Sequence, residues 1–214
     1  MERILPDVYH FVSTPKKGQI GHSYLLKRKE GNLLICHHGG PSSEDLEEIE
    51  SLGGIGSQWV CHQHDANNDG LHDELYARFG CMLYHHHRDR KMVAKRTDCP
   101  RVQFGDDGLE HGPDFEALHF PTCTDGFTLF RWHHEGNYFL FTSHAFGFRD
   151  GEWLIGVPYT EARRALWDPQ LGKLAKWRFN YVLPGYTSAD EDDYYLVDDK
   201  SQKSFSKTLK ALEN

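Results

Sequence analysis

The chain has 214 residues, with 24 Lys+Arg against 32 Asp+Glu and a formal net charge of −8. That balance argues against sequence-independent attraction to nucleic acid or an anionic membrane surface, which needs a basic face. Hydrophobic residues at 38% and aromatics at 13% supply a packed core and disfavour disorder. No apolar run approaches the roughly 20 residues of a membrane-spanning helix. Met1 to Pro6 lacks the basic, apolar and small-residue parts of a signal peptide, so a soluble cytoplasmic protein of one domain is expected.

In chain order, short β-rich runs come first: Val8–Val12, Ser23–Lys27 and Leu33–Cys36. Gly39-Gly40-Pro41-Ser42-Ser43 breaks the chain and offers serine caps to a helix over Glu44–Leu52, with Leu46 and Ile49 on one face. A strand at Gln58–Cys61 runs into a polar loop, and a helix follows over Leu71–Phe79 with Leu71, Leu75 and Phe79 at four-residue spacing. Further strands are predicted at Met82–His85, Glu116–Phe120, Phe127–Trp132, Asn137–Thr142 and Phe179–Leu183, the third and fourth of these joined by a turn at His134-Glu135-Gly136. A helix is predicted over Glu161–Leu166, with a continuation after Pro169 towards Trp177 left open, and Phe205, Leu209 and Leu212 mark one face of a docking helix whose other face carries Lys203, Lys207 and Lys210. Hairpin-linked strands with interspersed helices, then the same again, predict an α/β domain of two packed sheets with helices outside.

Fifteen histidines are the compositional anomaly, because imidazole titrates near neutrality and is the commonest metal ligand. The five cysteines, at 36, 61, 81, 99 and 123, have no paired spacing and are expected as free thiols. The sharpest local feature is Cys61-His62-Gln63-His64-Asp65 at the end of a predicted strand. There the period of two puts His62 and His64 on one side, able to chelate one ion. Other strands end in Pro121-Thr122-Cys123, Ser143-His144 and Pro184-Gly185-Tyr186. Asp65 and Asp69 could orient a ligand imidazole, act as base or cap the next helix, and Asn67 and Asn68 read as turn residues. His37-His38 and His133-His134 read as structural, and His85-His86-His87 as a solvated strand end from which His86 could reach the site.

The order of these motifs resembles the metallo-β-lactamase-fold superfamily over nearly the whole chain. Ser23–Leu26 with Leu33–Gly40 resembles the opening strands and the D-T-G turn. His62–Gly70 resembles H-x-H-x-D-H, and Leu118–Gly126 resembles the H-T-P-G-H-T-x-G stretch. Phe139–His144 resembles the strand ending in G-D, and Val182–Tyr186 the final P-G-H. The resemblance implies a four-layered αββα sandwich of two mixed sheets. It also implies two metal positions, but Cys123 stands at the third His, His144 at the bridging Asp and Tyr186 at the last His. The D-H pair falls on Ala66 and Asn67, or on Asn67 and Asn68.

What the resemblance leaves is a single-ion set of His62, His64, Cys123 and His144, three nitrogens and a thiolate, which suits zinc better than iron. Asp65 and His144 are the candidate catalytic groups. Three readings stay open. One is a mononuclear zinc hydrolase for a small ester, thioester or amide. The others are a silent member that binds a ligand or partner through the old pocket, and a mononuclear iron oxidoreductase. The partner is a small molecule, and a homo-oligomer is compatible with all three. Phe146, Phe148 and Trp153 could face an apolar ligand near the pocket mouth, with a plain core role the simpler reading.

Overall fold

The computed structural model describes residues 1–13, 19–37, 39–66, 70–149, 152–156, 160–188 and 191–212. The strands are β1 (Glu2–Leu5), β2 (Val8–Val12), β3 (Gln19–Leu26), β4 (Leu33–Cys36), β5 (Ser57–Val60), β6 (Met82–His86), β7 (Arg101–Phe104), β8 (Leu109–Glu110), β9 (Phe115–His119), β10 (Thr128–His134), β11 (Asn137–Ser143), β12 (Phe146–Arg149), β13 (Glu152–Ile155), β14 (Tyr181–Pro184), β15 (Tyr186–Ser188) and β16 (Tyr195–Leu196). The helices are α1 (Ser43–Ser51), α2 (Leu71–Phe79), α3 (Arg90–Val93), α4 (Glu161–Arg164), α5 (Asp168–Leu174) and α6 (Asp199–Lys210). One sheet runs β1 to β7 in sequence order with β15 beside β3; the other runs β16-β14-β11-β10-β9-β8, and β12 and β13 form a separate hairpin.

Both faces of both sheets are buried, and the side-chain alternation shows it. In β4, Leu33 and Ile35 join the cluster between the sheets with Trp59, Phe130 and Phe141, while Leu34 turns outward with Leu46 of α1 and Leu75 of α2. In β11, Phe139 and Phe141 face the first sheet, whereas Leu140 packs under Leu171 of α5 and Phe205 of α6. Three apolar layers therefore separate four structural layers, helix–sheet–sheet–helix, as the alternation of elements predicts. Continuous apolar runs such as Leu33-Leu34-Ile35-Cys36 are what a strand covered on two faces requires. Phe146 and Trp153 are buried against Phe205, so they belong to this core and not to a pocket mouth.

The predicted helix starts are right for a stated reason. Ser42 caps α1 with a reciprocal box to Asp45, and α2 spans its predicted limits. The missed elements are short: β1, β7, β8, β12, β13, β15 and β16 have two to four residues each, too few for a periodicity to emerge. One of them matters. The chain leaves β14 in the second sheet, turns at Gly185 and pairs as β15 with β3 in the first, so this corner ties the two sheets together. Gly185 is required there, since a Cβ would lie 2.8 Å from the His37 ring.

Strands β4, β5 and β6 are parallel, as are β11 and β14, so their C-terminal ends collect at common edges of the sandwich. No helix among the described residues is long and apolar enough to cross a membrane. His85 and His86, read as a solvated strand end, are instead 1% exposed: the His86 ring packs on Phe104 and His119, and His85 Nδ1 meets the His86 carbonyl at 2.9 Å. His133 stacks on Tyr138, and His134 stacks on Trp132 and pairs with Asp7, both structural as expected.

Burial holds several histidines neutral. It lowers the pKa of His22 to about 3, of His72 to about 4 and of His86 to about 3, and shifts His10 and His85 in the same direction. A neutral buried imidazole contributes fully above its unfolded pKa of about 6.5, and that contribution is lost as pH falls below it. The urea midpoint is therefore expected to decline steadily from pH ~6.5 to ~4. A midpoint that stays flat over that interval would show that these rings gain no stabilisation from being neutral.

Candidate metal centre

The end of β5 and the following turn carry His62, 3% exposed, and His64. The loop after β9 brings Cys123 to them, and the donor atoms of His62, His64 and Cys123 lie within 4.8 Å of one another. His144 follows β11 and stands beside this set, its ring 4.9 Å from the His62 ring and 5.0 Å from Phe127. Ser143, which aims it, has φ of +50°, a left-handed conformation that costs a non-glycine residue about 1–3 kcal/mol and that neighbouring structure must hold. Here the Ser143 carbonyl accepts the Gly185 N–H at 2.8 Å. His62, His64, His144, Tyr186 and Gln19 line a cavity of about 370 Å³.

Asp65 does not face that cavity. It is fully buried, and its Oδ2 lies 2.8 Å from His62 Nδ1 and 3.2 Å from His37 Nδ1, while its Oδ1 accepts the Tyr186 hydroxyl at 3.1 Å. A carboxylate at Nδ1 makes that nitrogen the N–H and points Nε2 outward, the usual arrangement behind a metal-ligating histidine. Of the roles open to Asp65, these contacts fit the orientation of an imidazole. His37, read as merely structural, is a member of this network. So is Tyr186, which occupies the corner of the last family motif. Asn67, Asn68 and Asp69 lie outside the described residues, and Ala66 is buried and offers no donor.

Burial by itself would lower the pKa of His62, but the Asp65 charge and hydrogen bond, followed by Cys123, outweigh it and raise it to about 10. Burial would likewise raise Asp65; the His62 and His37 charges and their hydrogen bonds instead hold it well below the usual carboxylate range. An ion entering this set must displace a proton from His62. His144 is exposed toward the cavity but hemmed in by His62, Phe127 and Tyr186. That crowding, and then the His62 charge, lowers its pKa, so the ring is neutral at neutral pH.

A second buried carboxylate, which sequence reasoning missed, sets the spacing of the donors. Asp89, 3% exposed, accepts the Gln63 N–H at 2.8 Å, the Thr124 hydroxyl at 3.0 Å and the Gly126 N–H at 3.2 Å. It thereby pins the loop between His62 and His64 to the loop that carries Cys123. Gly126 has no room for a Cβ, which would lie 2.6 Å from Asp89 Cγ. Only the Pro-Thr-Cys-Thr-Asp-Gly loop hinted at this anchor; nothing in the Arg88-Asp89-Arg90 segment marks it. His86, proposed to reach the site, stacks instead on His119 at 4.1 Å and lies 3.4 Å from Asp106.

Another group of donors lies behind the His62, His64 and Cys123 set. His37, Cys61 and Asp65 also converge, but all three are buried behind the cavity, Asp65 is engaged three times, and burial raises the Cys61 pKa well above the usual thiol range.

No family model matches the chain, and no curated protein sequence does. Solved structures do. The chain is similar to a metallo-β-lactamase from Pontibacter korlensis, at 19% identity and a TM-score of 0.65, covering 100% of this chain and 98% of that one. It is similar to the MIM-2 metallo-β-lactamase, at 16% identity and a TM-score of 0.65, over 98% of this chain and 87% of that one. A B3 metallo-β-lactamase with an active-site glutamic acid gives 14% identity and a TM-score of 0.63, over 99% and 87%. The chain has the metallo-β-lactamase fold.

Two outcomes follow from the carboxylates. In metal-free protein the His62–Asp65 pair stabilises fully below the unfolded His pKa of ~6.5 and loses its contribution as pH rises towards about 10. Melting temperature in chelator should therefore fall across that interval, and Asp65→Asn should flatten the slope; an unchanged slope would mean that the pair does not form. Asp89→Ala should lower the urea midpoint strongly, at about 1–3 kcal/mol for each donor left unsatisfied, whereas a shift within ordinary surface-mutant scatter would refute its anchoring role.

Proposed function

We propose that this protein is a mononuclear metal-dependent hydrolase, with zinc held by His62, His64 and Cys123, acting on a small ester, thioester or amide. The observation that carries the reading is the convergence of a thiol with two imidazoles that line one cavity, one imidazole oriented from behind by a buried carboxylate. Nitrogen and sulfur donors suit zinc, and the thiol disfavours the two-His, one-carboxylate arrangement of non-haem iron. Bound there, the ion supplies Lewis-acid polarisation of a substrate carbonyl.

The remaining steps belong to the chain. Asp65 fixes the tautomer of His62 and keeps its Nε2 directed at the cavity. His144 is neutral, lines the cavity and has a nitrogen able to take a proton from an attacking water and return it to the leaving group. It acts here as base in preference to fourth ligand, because the converging donor set forms without it. Gln19, on the opposite wall, offers an amide to a substrate carbonyl or hydroxyl. Sharing the Asp65 carboxylate, Tyr186 limits how far the His62 ring can turn.

The decisive residue is Cys123. Protein purified without added metal should retain up to one zinc per chain. Cys123→Ser should reduce that content strongly, and Cys123→His should preserve it, since imidazole is a good zinc donor and a serine hydroxyl is not. Alkylation of Cys123 should be slow in the metal-loaded protein and fast after chelation. Parent-like zinc binding by both variants, with alkylation indifferent to chelator, would remove Cys123 from the set. Zinc binding without turnover of an ester, thioester and amide panel would favour a silent ligand-binding member of the fold.

A further inference from the structure

Strands β2, β3 and β15 carry a second cluster of donors that the cavity does not use. His10 and His22 are 2% and 0% exposed, their ring centres 4.8 Å apart and their planes within 17° of each other. His10 Nε2 meets His22 Nδ1 at 2.6 Å, and His22 Nε2 meets the Thr187 hydroxyl at 2.6 Å. One nitrogen is left over. His10 Nδ1 is buried, has no hydrogen-bond partner and lies 3.9 Å from Asp193 Oδ2; the other oxygen of Asp193 is 3.8 Å from His22 Nδ1.

The spacing points outward from His10. A charge-assisted histidine–carboxylate hydrogen bond closes to about 2.7–2.9 Å, and this gap stays a full ångström wider. It accommodates an ion with bonds of about 2.0–2.2 Å to nitrogen and oxygen. The contacts allow two proton arrangements; when His22 Nε2–H is donated to Thr187 and His10 Nε2–H to His22, His10 Nδ1 presents its lone pair towards Asp193, and this is the arrangement that a cation between them selects. Metal-ligating histidines have their second nitrogen hydrogen-bonded; Asp65 does this for His62, and His22, fixed by Thr187, does it for His10. The setting is anionic: Glu2 is opposite His10 in the β1–β2 pairing, and Glu191 and Asp192 precede Asp193.

We propose that His10 Nδ1 and Asp193 form a second divalent-metal site, outside the cavity, with His22 and Thr187 as positioning residues. Its donors are one imidazole and one carboxylate, with water completing the shell, a set that takes zinc or cobalt more weakly than a site with a thiolate. The site does not depend on the assignment of Cys123, and the two are read by different signals.

The test follows the imidazole nitrogen resonances of His10 in the full chain during titration with zinc, in the parent and in Asp193→Asn, a substitution at a half-exposed side chain. Cobalt absorption from the Cys123 thiolate reports the cavity separately. Zinc should shift the Nδ1 resonance of His10, and Asp193→Asn should require about tenfold more zinc or worse while leaving the thiolate band unchanged. A His10 Nδ1 resonance that does not move at saturating zinc overturns the proposal and leaves a bridging water in the gap. A shift with the same midpoint in Asp193→Asn overturns it as well, because the carboxylate is then no ligand.

Discussion

The structure depends on one packing constraint: two sheets, each buried on both faces, require every polar side chain along the strands to find a protein partner, as His10, His22 and Thr187 do in one another. Leu33 to Cys36 can be apolar at every step only because helices cover one face and the second sheet the other. The cavity and the side chains that line it sit at the ends of the strands. The ends of β4, β5, β11 and β14 meet at a common edge because these neighbours are parallel, so His37, His62, His144 and Tyr186, scattered in sequence, become neighbours.

What such an edge requires is internal neutralisation. Two buried carboxylates supply it by different means. Asp65 is charged and surrounded by donors on three side chains, which outweighs the cost of its burial. Asp89 works on the loops, gathering two backbone N–H groups and a hydroxyl so that the segments bearing His62, His64 and Cys123 hold their separation. A donor triplet within 4.8 Å is thus a product of second-layer hydrogen bonding as much as of the ligands themselves.

The same logic explains how the site can differ from the pattern its fold resembles. Where that pattern implies a second ion, this chain has Ala66 and Tyr186. The Tyr186 hydroxyl and His37 both hydrogen-bond Asp65, so protein donors satisfy the carboxylate there. His144, at the end of a strand and after a residue in the left-handed region, projects into the cavity where a carboxylate bridging two ions would otherwise be expected.

Much of the molecule was legible in the sequence. The short apolar runs at Leu33–Cys36 and Phe139–Phe141, the serine cap before α1 and the four-residue spacing of Leu71, Leu75 and Phe79 each follow from local geometry, and together they imply layered sheets with helices outside. His62 and His64 were legible too, since their spacing is a property of one strand end. Three things were not, because each depends on partners distant in sequence. Asp65 reads equally as cap, base or orienter until His37 and Tyr186 are beside it. Asp89 lies in an unremarkable turn and acquires its role only from Gln63, Thr124 and Gly126. His10 and His22 look like ordinary strand residues until β15 brings Thr187 and the segment after it brings Asp193. Strand periodicity and capping act within a few residues and are written in the chain. The partner of a buried charge is chosen by the fold, since only tertiary packing decides which groups are removed from water together.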